Sequence, residues 1–94
     1  MIRRVAVLAL PGVAPFELGV LCEVFGLDRR DDGIPGYEFT VCTVDGRAVP
    51  TALGFHITPH ADLAPLAEAD LIGVPARPRG DVLPSAARDA LCAA

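Results

Sequence analysis

Few residues of this 94-residue chain are of a type and spacing that could do chemistry. Glu17 is the most conspicuous, because it opens the otherwise apolar stretch Pro15-Phe-Glu-Leu-Gly-Val-Leu-Cys-Glu-Val-Phe-Gly26, broken again only by Glu23. Two readings of that carboxylate stand side by side. An acid in the first turn of a helix favours its dipole by about 0.3–1 kcal/mol, and spacing alone favours this reading. The end of a buried strand is also where open α/β sheets build ligand crevices. Glu23, further along the same helix, reads as a solvent-facing residue or a helix-helix partner.

The other candidates read as structural. Cys22 falls on a different helical face from Glu17 and has the profile of a small core residue, and Cys42 lies within a strand and packs. Cys92, near the end of the sequence, is expected to be exposed. His56, His60 and Asp62 carry metal-ligating atoms, but Pro59 between the histidines excludes the i, i+4 pairing of metalloprotease helices. They read as loop residues, and no metal is expected. Neither GxGxxG nor GxxxxGK occurs, so no nucleotide cofactor is implied. Arg77 and Arg79 beside Gly80 could meet an anionic ligand or a partner, or simply line a solvated loop.

These residues need elements to hold them. Arg4 to Leu10, RVAVLAL, is a continuous aliphatic run closed by Pro-Gly, the pattern of a central parallel strand buried on both faces. Pro15 suits the first turn of a helix that Gly26 ends, and Phe16, Val20 and Val24 recur beside Leu18, Leu21 and Phe25, predicting a helix buried on most sides. Residues 28–36, with five charges, two glycines and a proline, read as a solvated loop. A second strand follows in YEFTVCTV. The turn pair Asp45-Gly46 comes next, then two short strands around Ala48–Thr51 and Phe55–Thr58 that form a hairpin or arm. LAPLAEAD predicts a helical turn and DLIGVPA, residues 70–76, a further buried strand. SAARDALCAA starts a last helix with Ser85 as its cap. The order implies an α/β fold with a largely parallel sheet. The sequence reaches its last residue in or just after a helix, where such a sheet expects another strand, so residues 1–94 read as one partial domain.

Composition narrows the function classes. Hydrophobic residues make up 52% and charged residues 21%, a profile of a soluble α/β or α+β domain. A chain this short buries only about 60–65% of its unfolded surface, which makes any covering segment or subunit important. The net charge is −4 and the eight basic residues, all arginine, are scattered. Without a basic cluster, DNA binding by this chain alone is not expected. Three cysteines with no CxxC pair suit a reducing, cytoplasmic setting. The start MIRRVAVLALPGVAPF superficially matches a secretory leader, but Pro11 and Gly12 interrupt it and no small-residue cleavage site follows. No apolar run reaches the roughly 20 residues of a membrane span.

Taken in order, ALPGVAPFELGVLCEVFG, the YEFTV strand and TALGFHITPHADLAPLAEADLIGVPA resemble the N-terminal part of the DJ/PfpI family, the class I glutamine amidotransferase-like fold. Within it they are most similar to the sensor domain of AraC-type transcriptional regulators, over essentially the whole chain and about the first half of that domain. The resemblance implies a flavodoxin-like three-layer sandwich with a mainly parallel sheet and a pocket beyond the carboxyl ends of its strands. It places Glu17 at the family's pocket acid, and Pro75-Ala76 at a loop where the family has Pro-Gly and uses its backbone N–H groups. Alanine there lacks glycine's tolerance of positive φ. The family's nucleophilic cysteine sits on a strand that the layout puts after residue 94, so the resemblance implies no catalytic residue within these positions and no enzyme activity of this chain alone. It further implies a small-molecule effector, a homodimer when the domain is complete, and a DNA-binding module outside this sequence. The alternative is the N-terminal piece of a family enzyme of the isonitrile hydratase, glyoxalase or deglycase type.

Overall fold

The computed structural model describes residues 2–27, 36–75 and 84–93. Three strands form a parallel sheet in the order β2-β1-β5: β1 spans Arg4–Leu8, β2 Glu38–Cys42 and β5 Leu71–Gly73. Helix α1 (Pro15–Leu21) runs on as a wider π-type turn over Cys22–Gly26, and α2 spans Ser85–Ala93. A two-stranded antiparallel arm pairs β3 (Val49–Pro50) with β4 (His56–Ile57), and a 3-10 turn covers Ala64–Glu68.

β1 is the centre of the molecule, as its unbroken apolar run predicts. Its alternate side chains serve two cores. Ala6, Leu8 and Leu10 pack with Cys42, Leu66 and Ala87 under the 3-10 turn and α2, whereas Val7 meets Val13 and Leu18 under α1. Helical elements therefore lie on both faces of a parallel sheet, the expected three layers. Each fully buried Leu or Val contributes about 1.5–3 kcal/mol, and six consecutive positions, Val5 to Leu10, are at most 2% exposed. Gly73 lets α1 come close to β5, since a β-carbon there would stand 3.0 Å from Leu21 Cδ1.

Three expectations need correction. The first helix is not buried on most sides: only Leu18 is fully buried, while Phe16 is 81% and Val24 48% exposed. Its apolar residues face two ways, and the sheet takes only the face of Leu18, Leu21 and Cys22. The third parallel strand is half-buried, since among the described residues it has β1 on one side and no strand on the other. Ser85 is the first residue inside α2, where Arg88 N–H donates to Pro84 O, so the cap position falls on Pro84. The strands are also shorter than the apolar runs that encode them. Most of the expected loop at 28–36 lies outside the described residues.

The two edges of the sheet differ. The outer edge of β2 is covered by the chain itself: Val41 N–H donates to His60 Nδ1 at 2.9 Å, and His60 N–H to Val41 O at 2.8 Å. Thr43 N–H then donates to Ala61 O at 3.1 Å. On the far side of β5 no strand pairs among the described residues. At the amino end of the sheet, Arg4 bridges Glu38 (3.0 Å) and Glu68 (3.2 Å), and Asp70 Oδ2 accepts the N–H groups of Arg3 and Arg4, each at 2.9 Å. These solvent-exposed ion pairs set register more than stability, being worth about 0–1 kcal/mol each.

Candidate functional site

From β1 the chain moves outward to β2 and then returns to the other side of β1 to form β5. The strand order reverses between β1 and β5, and in open α/β sheets ligands bind in the crevice outside the carboxyl ends of the strands at such a point. Four segments of this chain converge on that end. The first is the loop after β1, where Val13 N–H donates to Leu10 O at 3.0 Å across Pro11 and Gly12. Gly12 has φ +85°, so the loop is a type II turn with proline and glycine in their required places. The second is the arm, whose Pro50 O accepts Gly12 N–H (2.8 Å) and whose Ala52 N–H donates to Val13 O (2.9 Å). The third is the first turn of α1 and the fourth the exit from β5.

Glu17 lies in that first turn of α1, two residues after Pro15, and is exposed to solvent. The turn has no side-chain cap: Ala14 occupies the cap position and Leu18 N–H bonds to its carbonyl at 3.1 Å. The wall that apolar neighbours would give this carboxylate is half present, because Leu18 turns into the core while Phe16 faces solvent. Pro75, at the exit from β5, is buried, and Val74 before it is 42% exposed. Ala76, Arg77 and Arg79 lie outside the described residues.

The cysteines present no accessible thiol at this end of the sheet: Cys42 closes β2 there, but with its side chain buried in the core. Cys22 packs with Val7, Val13 and Leu18, and burial, with Glu23 adding to it, pushes its thiol pKa up. Cys42 is fully buried in β2, where burial and then the charge of Asp62 raise it likewise. Raised thiols are poor nucleophiles, because the thiolate is the reactive form. Cys92 is exposed on α2. His60 braces the β2 edge, while Asp62 Oδ1 accepts Ala64 N–H at 2.9 Å to start the 3-10 turn. Among the described residues no three His, Cys, Asp or Glu side chains gather as metal ligands do.

Sequence reasoning missed the arm as a part of this site. Val49 and Thr51 are 7% and 4% exposed, and they carry the arm onto the loop before α1. The two short strand runs that flank Leu53-Gly54 signal a hairpin but not where it docks. A hollow of about 220 Å³ lies at the opposite end, among Arg4, Ala6, Glu38, Thr40, Pro65 and Glu68, and a more open apolar one runs along Phe16, Val20 and Val24. Neither includes Glu17 or Pro75.

No family model and no curated protein matches the chain. Among solved structures, it is similar to the DJ-1 superfamily protein Atu0886 from Agrobacterium tumefaciens, with a TM-score of 0.63 and 20% identity. The fold is DJ-1-like. The match covers 86% of this chain and 43% of that one, so the chain spans less than half the length of that relative. No helix among the described residues is long and apolar enough to cross a membrane.

Proposed function

We propose that the chain is the first half of a ligand-sensing and dimerisation domain of an AraC-type transcriptional regulator, and that it works with a DNA-binding module outside this sequence. The observation that carries the reading is the convergence at the carboxyl end of the sheet. There the Leu10–Val13 turn, the docked arm, Glu17 and Pro75 surround the point where strand order reverses. The DJ-1-like fold supports the pocket's location, and the order of motifs around PFELGVLCEVFG supports the regulator over the enzyme. Glu17 is the pocket acid and a small polar effector its partner. The cysteines support no nucleophilic role, since two are packed and raised and the third lies on α2.

The test has two arms on the purified chain. Incubation with methylglyoxal and with an isonitrile should give no turnover, and a panel of small polar metabolites should include compounds that raise its melting temperature. Glu17→Gln should remove that thermal response. Turnover abolished by Cys22→Ser or Cys92→Ser would replace the sensor reading with the enzyme one.

A further inference from the structure

We propose that His60 is a proton-operated clasp: its neutral ring fastens the segment 58–61 along the outer edge of β2, and protonation of the ring releases that segment and loosens the foot of the arm. The bond that carries the proposal runs from Val41 N–H to His60 Nδ1 at 2.9 Å. A ring nitrogen accepts a hydrogen bond only while it bears no proton, and an imidazolium donates from both nitrogens. The clasped ring therefore keeps its one proton on Nε2, and a second proton can be added only at Nδ1, where Val41 N–H already points. His60 is exposed, so protons reach it. Val41 is 7% exposed, and leaving its N–H without an acceptor is costly.

The chain path shows what the clasp holds. β4 ends at Ile57, and the residues after it follow β2, where His60 N–H donates to Val41 O at 2.8 Å and Thr43 N–H donates to Ala61 O at 3.1 Å. The arm's other contacts reach the loop before α1, through Gly12 N–H to Pro50 O and Ala52 N–H to Val13 O. Those bonds join backbone to backbone, so among the described residues the ring is the pH-sensitive link between the segment and β2. Around it, β2 carries Glu38 and Cys42, the segment leads into Asp62, the turn before the arm carries Asp45 and Arg47, and β4 carries His56. Glu38 pairs with Arg4, Asp45 accepts Arg47 N–H and Asp62 accepts Ala64 N–H. By residue type, only His56 shares histidine's titration range of about pH 5 to 8. Closing the clasp excludes a proton, so it is favoured above that range and lost as pH falls through it.

Amide exchange of the 94-residue chain at about pH 8 and about pH 5, each rate taken relative to unstructured peptide at the same pH, tests this in the wild type, His60→Asn and His56→Asn. Asparagine at position 60 sets Oδ1 where histidine has Nδ1, an acceptor that does not titrate. Protection of the Val41 and Thr43 amides should fall by about fivefold at the lower pH, the equivalent of one hydrogen bond, in the wild type and in His56→Asn. It should stay level in His60→Asn, and the β1 amides should keep theirs in all three. A wild-type profile flat with pH, an equal fall in His60→Asn, a fall abolished by His56→Asn or one shared by β1 would overturn the proposal. Should His60→Asn fail to fold, the ring nitrogen chemical shifts of the wild type decide. A bare Nδ1 and a protonated Nε2 at the higher pH are expected for His60, and the opposite tautomer would overturn the clasp. The outcome is independent of the sensor reading, since no ligand enters the experiment.

Discussion

At the residue scale two side chains matter most: Glu17 in the first turn of α1 and His60 against the edge of β2. Glu17 was legible as a singular acid after a buried strand, because type and position are sequence properties, and the structure places it in the first turn of α1 at the sheet's carboxyl end. His60 was legible only as a loop residue. Its role depends on meeting Val41 across 19 positions, which no local rule predicts. Replacing it with alanine strips an acceptor from Val41 N–H and should cost about 1 kcal/mol in urea unfolding. Asp70 makes a pH-dependent contribution. The N–H bonds from Arg4 and then Arg3 hold its carboxyl below the usual aspartate range, so the folded state binds its proton less readily than the unfolded chain does. The stability it adds is present above pH about 4 and is lost as pH falls through the lowered value. Asp70→Asn should flatten that part of the acid-unfolding profile measured by denaturant titration at successive pH values. Thiol labelling should follow burial: Cys92 reacts first, Cys22 slowly and Cys42 only on unfolding. Early labelling of Cys42 would contradict the core described for β2.

At the scale of elements, hydrophobic period and turn chemistry foresaw every strand and helix of the described residues in order, with ends misplaced by a few positions. The central strand was the plainest, because six consecutive apolar residues can be buried only between two layers. The apolar residues of α1 lie on two faces, and such a stripe looks the same in sequence whether one face or both are covered. Gly26 and the π-type turn at Cys22–Gly26 mark where that helix loses its regular spacing. Leu66, 1% exposed, joins the 3-10 turn to the core under α2. Leu66→Ala should therefore destabilise by about 2–5 kcal/mol and loosen α2 first, which hydrogen exchange at Ala87–Leu91 would register. Gly73→Val should push Leu21 off β5 and cost about 1–3 kcal/mol by overpacking.

For the whole molecule, the parallel order β2-β1-β5 and the DJ-1-like fold set the scaffold, and what such a scaffold binds lies in side chains the fold does not dictate. With net charge −4 and scattered arginines, the chain should give no saturable shift of duplex DNA at physiological salt. The sensor reading stands or falls on whether a ligand binds at the carboxyl end of the sheet, beside Glu17. A screen of small polar fragments read through backbone amide chemical shifts tests this directly, whatever the effector is. Fragments that bind should shift Gly12, Glu17, Thr51 and Val74 together, and Glu17→Gln should abolish the response. Shifts gathered instead on Arg4, Glu38 and Glu68 or along Phe16, Val20 and Val24, unchanged in Glu17→Gln, would contradict it and leave Glu17 as a helix-start residue.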